Sequence, residues 1–291
     1  MAGLDRHLGG LGEKGSALSK VLSLSCPCDR PDPVPAFQYE KPPEGETRFD
    51  WKGQRYQRGY RRCQSCGHWS AEIHMDLTDF YRGGYVDGTY GDRMRESLER
   101  ILALPESESD NAGRVKRVLD FAKNRWKTDK VPDLLDVGSG LAVFPFRMRE
   151  AGWQVTALDP DARAAEHARQ NAKVHSVHAD FLTWEPPEGS RFDVITLNKV
   201  LEHVENPVAM LERARRWILP GGFVYVEVPD AAAVQAGSNR EEFFIEHLHV
   251  FTLKSLFQAA SKAGMMVEKG ASSLEPSGKF TLWSIFEINP S

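Results

Sequence analysis

The chain has 291 residues, room for one large domain or for an ordinary domain with a smaller companion, and the second arrangement is expected. With 41% hydrophobic, 27% charged and 10% aromatic residues it is not a disordered, collagenous or membrane-embedded chain. Its 37 Lys and Arg against 41 Asp and Glu give a formal charge of -4, so there is no bulk attraction for nucleic acid or anionic lipid and any such affinity must be local.

Residues 1–25 are Gly-rich and polar, broken by Asp5, Arg6, Glu13, Lys14 and Lys20, and read as a mobile tail. No apolar run approaches bilayer length, so a soluble cytoplasmic protein is expected. All four cysteines lie in the next segment, 26–80: Cys26-x-Cys28 and, after a Pro-rich loop (PDPVPAF, KPPEGE), Cys63-x-x-Cys66. Disulfides are disfavoured without a secretion signal, whereas four thiolates at this spacing suit a tetrahedral zinc ion. A fully ligated ion has no open position, so it would hold the segment together without activating water. His68 is an alternative fourth ligand, and buried thiols without metal are the plain alternative. A zinc ribbon of short strands fits this segment.

Residues 81–130 comprise a Tyr- and Gly-rich loop, FYRGGYVDGTYGD, and two connector helices near 92–103 and 112–127. From 131 to 291 the pattern becomes regular. LLDV (134–137), VTALD (155–159), VHAD (177–180), FDVITLN (192–198) and FVYVEV (223–228) read as strands. Between them lie helices FPFRMREAG, 161–172, and NPVAMLERARRWIL with Asn206 as N-cap and Pro207 at N1. PGG turns the chain into the fifth strand, Thr252 caps a helix over 253–263, and MMVEKG with KFTLWSIFE close as an antiparallel hairpin. The expected fold is α/β: a doubly wound, Rossmann-like seven-stranded sheet with an antiparallel last strand, preceded by the small ribbon.

Chemistry concentrates in Asp136-Val-Gly-Ser-Gly140 after the first of these strands and in Asp159 at the end of the second. Glycines let backbone approach a ligand, and a carboxylate at the neighbouring strand end can accept both hydroxyls of a ribose. Val143 stands where a dinucleotide loop would carry its third glycine, and Asp136 would repel a pyrophosphate, so a cationic ligand fits better than NAD. Taken in order, LLDVGSG, LDPD, HADF, FDVITLNKVLEHVENP and ILPGG resemble the successive motifs of class I S-adenosylmethionine-dependent methyltransferases over about residues 112–287. The resemblance implies that Gly138 and Gly140 line the methionine part of the cofactor and that Asp159 binds the ribose. It further implies that Asp180 and the backbone at Phe181 meet the adenine and that Asn198 lies beside the sulfonium. Ala142 replaces a further glycine of many relatives, for which a modest change in the loop is expected.

Two carboxylate–imidazole clusters follow strand ends: Leu201-Glu202-His203-Val204 and Glu246-His247-Leu248-His249-Val250-Phe251-Thr252. Such pairs can take a proton from an acceptor as the methyl arrives. His247 is the expected base, oriented by Glu246, with His203 as the reserve candidate. The cysteine segment and the EHxHxFT loop are similar to bacterial methyltransferases acting on deoxysugars and surface polysaccharides, which implies a small carbohydrate acceptor. Those enzymes carry a tyrosine shortly before Glu-His, where this chain has Phe243, Phe244 and Ile245, so O-methylation stands beside C-methylation. A rival reading takes RFDWKGQRYQRGYRR (48–62) as an RNA- or DNA-binding surface of the ribbon. Another takes the chain as an inactive cofactor-binding protein that docks a partner.

Overall fold

The computed structural model describes residues 22–47, 49–75, 93–126 and 130–288. Most of the 1–25 tail and the Tyr-rich loop of 81–91 lie outside the described residues, although Leu22 and Ser23 of that tail pair with a strand as β1.

The cysteine segment folds as an antiparallel sheet of β1 (Leu22–Ser23), β2 (Pro33–Tyr39), β3 (Arg58–Cys63) and β4 (Trp69–Ile73), in the order β1-β4-β3-β2. Of the PDPVPAF stretch, expected as loop, Pro33–Phe37 are part of β2. Its prolines are tolerated because β2 is the sheet's edge, where a missing N–H costs no ladder bond, and the strand bulges between Pro35 and Phe37. Opposite the bulge only glycine fits, since a Cβ on Gly59 would lie 2.5 Å from the Phe37 carbonyl.

Helices α1 (Met94–Leu102) and α2 (Asp110–Arg125) lead to the second sheet. Its elements are β5 (Asp133–Val137), α3 (Val143–Glu150), β6 (Gln154–Asp159), α4 (Ala162–His167, continued as a π turn over Ala168–Ala172) and β7 (His175–His178). There follow β8 (Phe192–Asn198), α5 (Pro207–Trp217), β9 (Ile218–Pro229), β10 (His249–Val250), α6 (Leu253–Lys262), β11 (Met265–Leu274) and β12 (Phe280–Ile288). The sheet order is β11-β12-β9-β8-β5-β6-β7, with β12 antiparallel to both neighbours and β5 to β9 parallel. This is the expected doubly wound seven-stranded sheet.

The caps follow the residue chemistry. Asn206 Oδ1 accepts the Ala209 N–H at 3.1 Å, and Thr252 with Ser255 forms a reciprocal capping box. The ILPGG segment makes its expected turn as a bulge inside β9: α5 stops at Trp217, Ile218 faces Phe192 while Phe223 already faces Val194, and Gly221 takes φ +81 in the looped-out stretch between them. One local expectation changes. The third strand ends at His178, so Ala179 and Asp180 lie beyond it.

One apolar core fills each face of the large sheet: Leu135, Ile195, Leu211 and Leu256 on one side, Val118, Leu134, Phe144 and Phe223 on the other. A third core, with Tyr60, Trp69 and Ile73 from the ribbon and Phe243, Ile245 and Val250 from the segment after β9, joins the two sheets. The β10 strand belongs to the ribbon's sheet, where it pairs with β4, and not to the sheet that precedes it in the chain.

Candidate functional site

The strand-end loops of β5, β6 and β8 bring the expected cofactor residues to one edge of the sheet. Gly138 has φ +69, and a Cβ there would meet Val200 Cγ2 at 2.8 Å, so residue type and close packing both demand glycine. Gly140 also has positive φ, and its N–H donates to Asp159 Oδ2 at 2.9 Å. Asp159 Oδ1 accepts the Asp161 N–H at 2.9 Å, which aims the carboxylate and leaves each oxygen a second lone pair suited to a diol. Ala142 takes the left-handed conformation (φ +54) that glycine would adopt, so the loop keeps its path at a backbone cost of roughly 1–2 kcal/mol.

Asp136 is buried and accepts from Thr196 Oγ1 at 2.6 Å and Asn198 Nδ2 at 2.9 Å; burial pushes it up to about 7 against those bonds. Among the described residues, Ser139 Oγ and Asn198 Oδ1 are buried without a hydrogen-bond partner. Orphaned acceptors, a glycine cradle and two carboxylates form a donor set that fits S-adenosylmethionine better than a dinucleotide. Asp180 is exposed and its Oδ1 accepts the Leu182 N–H at 2.9 Å, the local cap that this residue type makes. The Phe181 ring is in the core and its carbonyl takes Arg213 Nε at 3.1 Å, so its N–H is the backbone group that could read an adenine edge.

Immediately after Asn198, Lys199 sits at φ +59, a strained conformation for a side chain with Cβ. Its Nζ donates to Thr281 Oγ1 at 2.8 Å, and burial pulls it below the usual lysine range. Glu202 follows, fully buried, with neither carboxylate oxygen hydrogen-bonded among the described residues, and is pushed up to about 7 by burial despite the Lys199 charge.

The ligand-type atoms of Glu202, His203 and His247 all lie within 4.8 Å of one another, and the two imidazoles have centroids 5.0 Å apart. His203 Nδ1 is bonded to the Glu246 carbonyl at 2.8 Å, and His247 Nδ1 to the Glu242 carbonyl at 3.1 Å. Burial lowers both histidines, so both are neutral near pH 7. A neutral imidazole whose Nδ1–H is fixed on a carbonyl presents Nε2 as a base or as a metal ligand. Two imidazoles and a carboxylate could thus relay a proton or coordinate a divalent ion, with Lys199 as the competing cation.

The expected orientation of His247 by Glu246 is corrected here. Glu242 supplies the carbonyl for His247, while Glu246 serves His203 through its own carbonyl; the Glu246 carboxylate is buried, and its Oε2 has no hydrogen-bond partner among the described residues. The tight turn after Phe244, whose carbonyl accepts the His247 N–H at 3.0 Å, causes this exchange.

Cys26, Cys28, Cys63 and Cys66 converge as free, buried thiols, with Sγ···Sγ separations of 3.3 Å (26–66), 3.5 Å (26–28) and 3.7 Å (28–63). A tetrahedral zinc with Zn–S of about 2.3 Å would set them about 3.8 Å apart, so the set fits. His68 is not among them: its Nδ1 contacts Ser255 Oγ at 3.2 Å and its Nε2 contacts His249 Nδ1 at 3.0 Å.

Sequence reasoning passed over Lys199 and left Glu202 out of the expected catalytic set, although its cluster was noted. A charged residue directly after the strand-end Asn198 was the available signal. It also passed over Arg114 and Arg117 of α2, which clamp the buried Glu227 of β9 at 2.5 Å and 2.7 Å. A carboxylate inside the apolar run FVYVEV demands such partners.

A family model described as a methyltransferase domain matches residues 91–269. Cypemycin N-terminal methyltransferase of a Streptomyces species is 29% identical over 143 residues, 46% of this chain and 57% of that protein. A ubiquinone biosynthesis O-methyltransferase of Serratia proteamaculans is 31% identical over 97 residues, 32% of this chain and 40% of its own length. The chain spans about half the length of the curated relatives it matches. Among solved structures, magnesium protoporphyrin IX methyltransferase from Synechocystis PCC 6803 superposes with a TM-score of 0.55 at 12% identity, over 71% of this chain and 99% of that one. The CcbJ methyltransferase from Streptomyces caelestis gives 0.51 at 15% identity, over 69% and 98%. At these identities the structures attest the fold, and the family model, spanning α1 to β11, attests the lineage: the chain belongs to the methyltransferase-domain family.

Proposed function

We propose that this protein is an S-adenosylmethionine-dependent methyltransferase acting on a small polar acceptor, a sugar or sugar nucleotide first among them. The observation that carries the reading is the neutral pair His203 and His247 with Glu202, set directly beyond Asn198 at the edge where Asp136, Gly138, Gly140 and Asp159 gather. The cofactor supplies an electrophilic methyl group. Asp159 holds the ribose, Asp136 and Asn198 face the charged methionine end, and Asp180 with the Phe181 N–H reads the adenine. The acceptor hydroxyl would give its proton to His247 as its oxygen bonds to the methyl carbon and the sulfonium–methyl bond breaks, with S-adenosylhomocysteine as the leaving group, His203 as the reserve base and Glu246 supporting His203. Phe243 and Ile245, where the sugar C-methyltransferases carry a tyrosine, are packed into the core shared with the ribbon, which favours O-methylation.

The ribbon of 26–80 holds one structural zinc on its four thiolates, and 131–291 forms the catalytic domain. The rival nucleic-acid reading is weakened because Tyr56 and Tyr60 are buried and Arg58 is paired with Glu46. A transfer assay with methyl-labelled cofactor against separate pools of nucleotide sugars and RNA tests the reading. Label in the nucleotide-sugar pool is expected; label in RNA alone would overturn the acceptor, and tight cofactor binding with no transfer to any pool would favour the inactive docking protein.

A further inference from the structure

A structural zinc segment could be a detachable appendage, yet this one is joined to the segment that carries His247 along its whole length. The Ala71 N–H donates to the Leu248 carbonyl at 2.8 Å, and the β4–β10 ladder continues through Ser70–His249 and Trp69–Val250. Glu46 of the ribbon, itself buried, accepts the Ile245 N–H on Oε1 at 2.9 Å. Its two oxygens are also held by Arg58 Nη2 and the Tyr56 hydroxyl. The Tyr60 hydroxyl donates to the carbonyl of His247 itself and lies 3.3 Å from that of Phe244. Thr252 Oγ1 donates to the Cys66 carbonyl at 2.7 Å, and Lys262 Nζ to the Cys28 carbonyl at 3.0 Å, so the thiolate turns themselves rest on α6.

On the far side, the Leu248 N–H donates to the Glu202 carbonyl, at 2.6 Å. The chain from Glu242 to Val250 is therefore pinned between the ribbon and the turn that bears Glu202 and His203. Among the described residues it has no strand partner in the large sheet. Buried backbone groups need partners, and here the ribbon supplies several of them.

We propose that the cysteine ribbon is the rear wall of the acceptor site, with Glu46, Arg58 and Tyr60 as positioning residues that hold the His247 segment in register beneath the reacting atoms. The inference rests on the reading of His247 as the base. Metal in the four thiolates then controls the acceptor half of the site and leaves the cofactor half alone, because Asp136, Asp159 and Asn198 are held by bonds within the large sheet and its loops.

Tests on the full chain need no acceptor. Amide exchange is followed at Ile245 and Leu248, with Leu135 and Ile195 as internal controls, while the His247 imidazole is titrated by NMR and S-adenosylhomocysteine affinity is measured by calorimetry. Tyr60→Phe keeps the ring and removes one hydrogen bond, so exchange at Ile245 and Leu248 should quicken by about fivefold to tenfold, the worth of one net bond. The His247 midpoint should move up towards the ordinary imidazole value as the segment loosens, with affinity unchanged. Glu46→Ala and chelation of the bound metal should produce larger changes of the same kind. The proposal is overturned if Ile245, Leu248 and the His247 midpoint stay as in the wild type in all three cases, or if Leu135 and Ile195 and the cofactor affinity change in step with them. Neither outcome depends on whether the transfer assay finds its acceptor.

Discussion

In the proposed cofactor site, Asp159 is a carboxylate oriented by two backbone N–H groups, from Gly140 and Asp161. Replacing it with alanine removes charge-assisted bonds to a diol, so Asp159→Ala should weaken S-adenosylmethionine binding by about 1.5–3 kcal/mol in calorimetry, and NAD should not compete with the cofactor in the wild type. His247 and His203 make the complementary experiment at the acceptor end. A general base is worth about 10²–10⁴-fold, so His247→Ala should lower turnover by that order at saturating cofactor while cofactor affinity stays constant. Should His203→Ala alone carry the loss, the base is on the turn after β8, where Glu246 orients it through its carbonyl. The sequence pattern made Asp159 legible because a strand-end acid beside a glycine loop is a local arrangement. The exchange of Glu242 for Glu246 behind His247 was not legible, since it turns on the path of a loop and on which carbonyl faces inward.

Between elements, polar seams do work that apolar periodicity does not reveal. α2 is clamped on β9 by Glu227, which accepts from Arg114, Arg117 and the Tyr225 hydroxyl and is held down at about 2, against its burial, by the two guanidinium groups. A carboxyl lowered from 4.5 contributes stability that is present above that value and lost as pH falls towards 2. Glu227→Gln leaves two arginines beside a neutral amide and should cost about 3–5 kcal/mol in urea unfolding. The ribbon meets α6 at a second seam, where His68 contacts His249 of β10 and Ser255 of α6.

Burial lowers both of these histidines, His249 to about 4. An unfolded histidine protonates near 6.5, so between that value and about 4 the opened state binds protons that the closed seam refuses. The seam should therefore be firm above pH 6.5 and loosen progressively below it, visible as faster exchange at Ala71 and Val250. Asp136 and Glu202, raised to about 7, oppose this trend elsewhere by gaining protons in the folded state, so local exchange is a sharper readout than a global melt. The β2 prolines belong at this scale too: whether a Pro-rich stretch is loop or edge strand depends on having an unpaired side, which neighbouring residues in the chain do not disclose.

For the whole molecule, the four buried cysteines bring together turns 35 or more residues apart, and a zinc bound to them would cross-link those turns. Metal analysis should find one zinc per chain. Cys63→Ser with Cys66→Ser should unfold the ribbon while leaving S-adenosylmethionine affinity nearly intact, and a metal-free preparation folded throughout would contradict the site. From residues alone came the parallel strands with their glycine loop, the capped helices at Asn206 and Thr252, the closing hairpin and the pairing of cysteines. Each is written in short-range spacing, in apolar period, turn chemistry or ligand interval. Tertiary structure decided what spacing cannot carry. It routed residues 242–250 out of the catalytic sheet and onto the ribbon, took His68 from the cysteines to His249, and placed Glu202 beside His203 and His247. Those contacts join groups up to 199 residues apart, as between Glu46 and Ile245, and they exist because buried polar groups must find partners wherever the packed chain brings them.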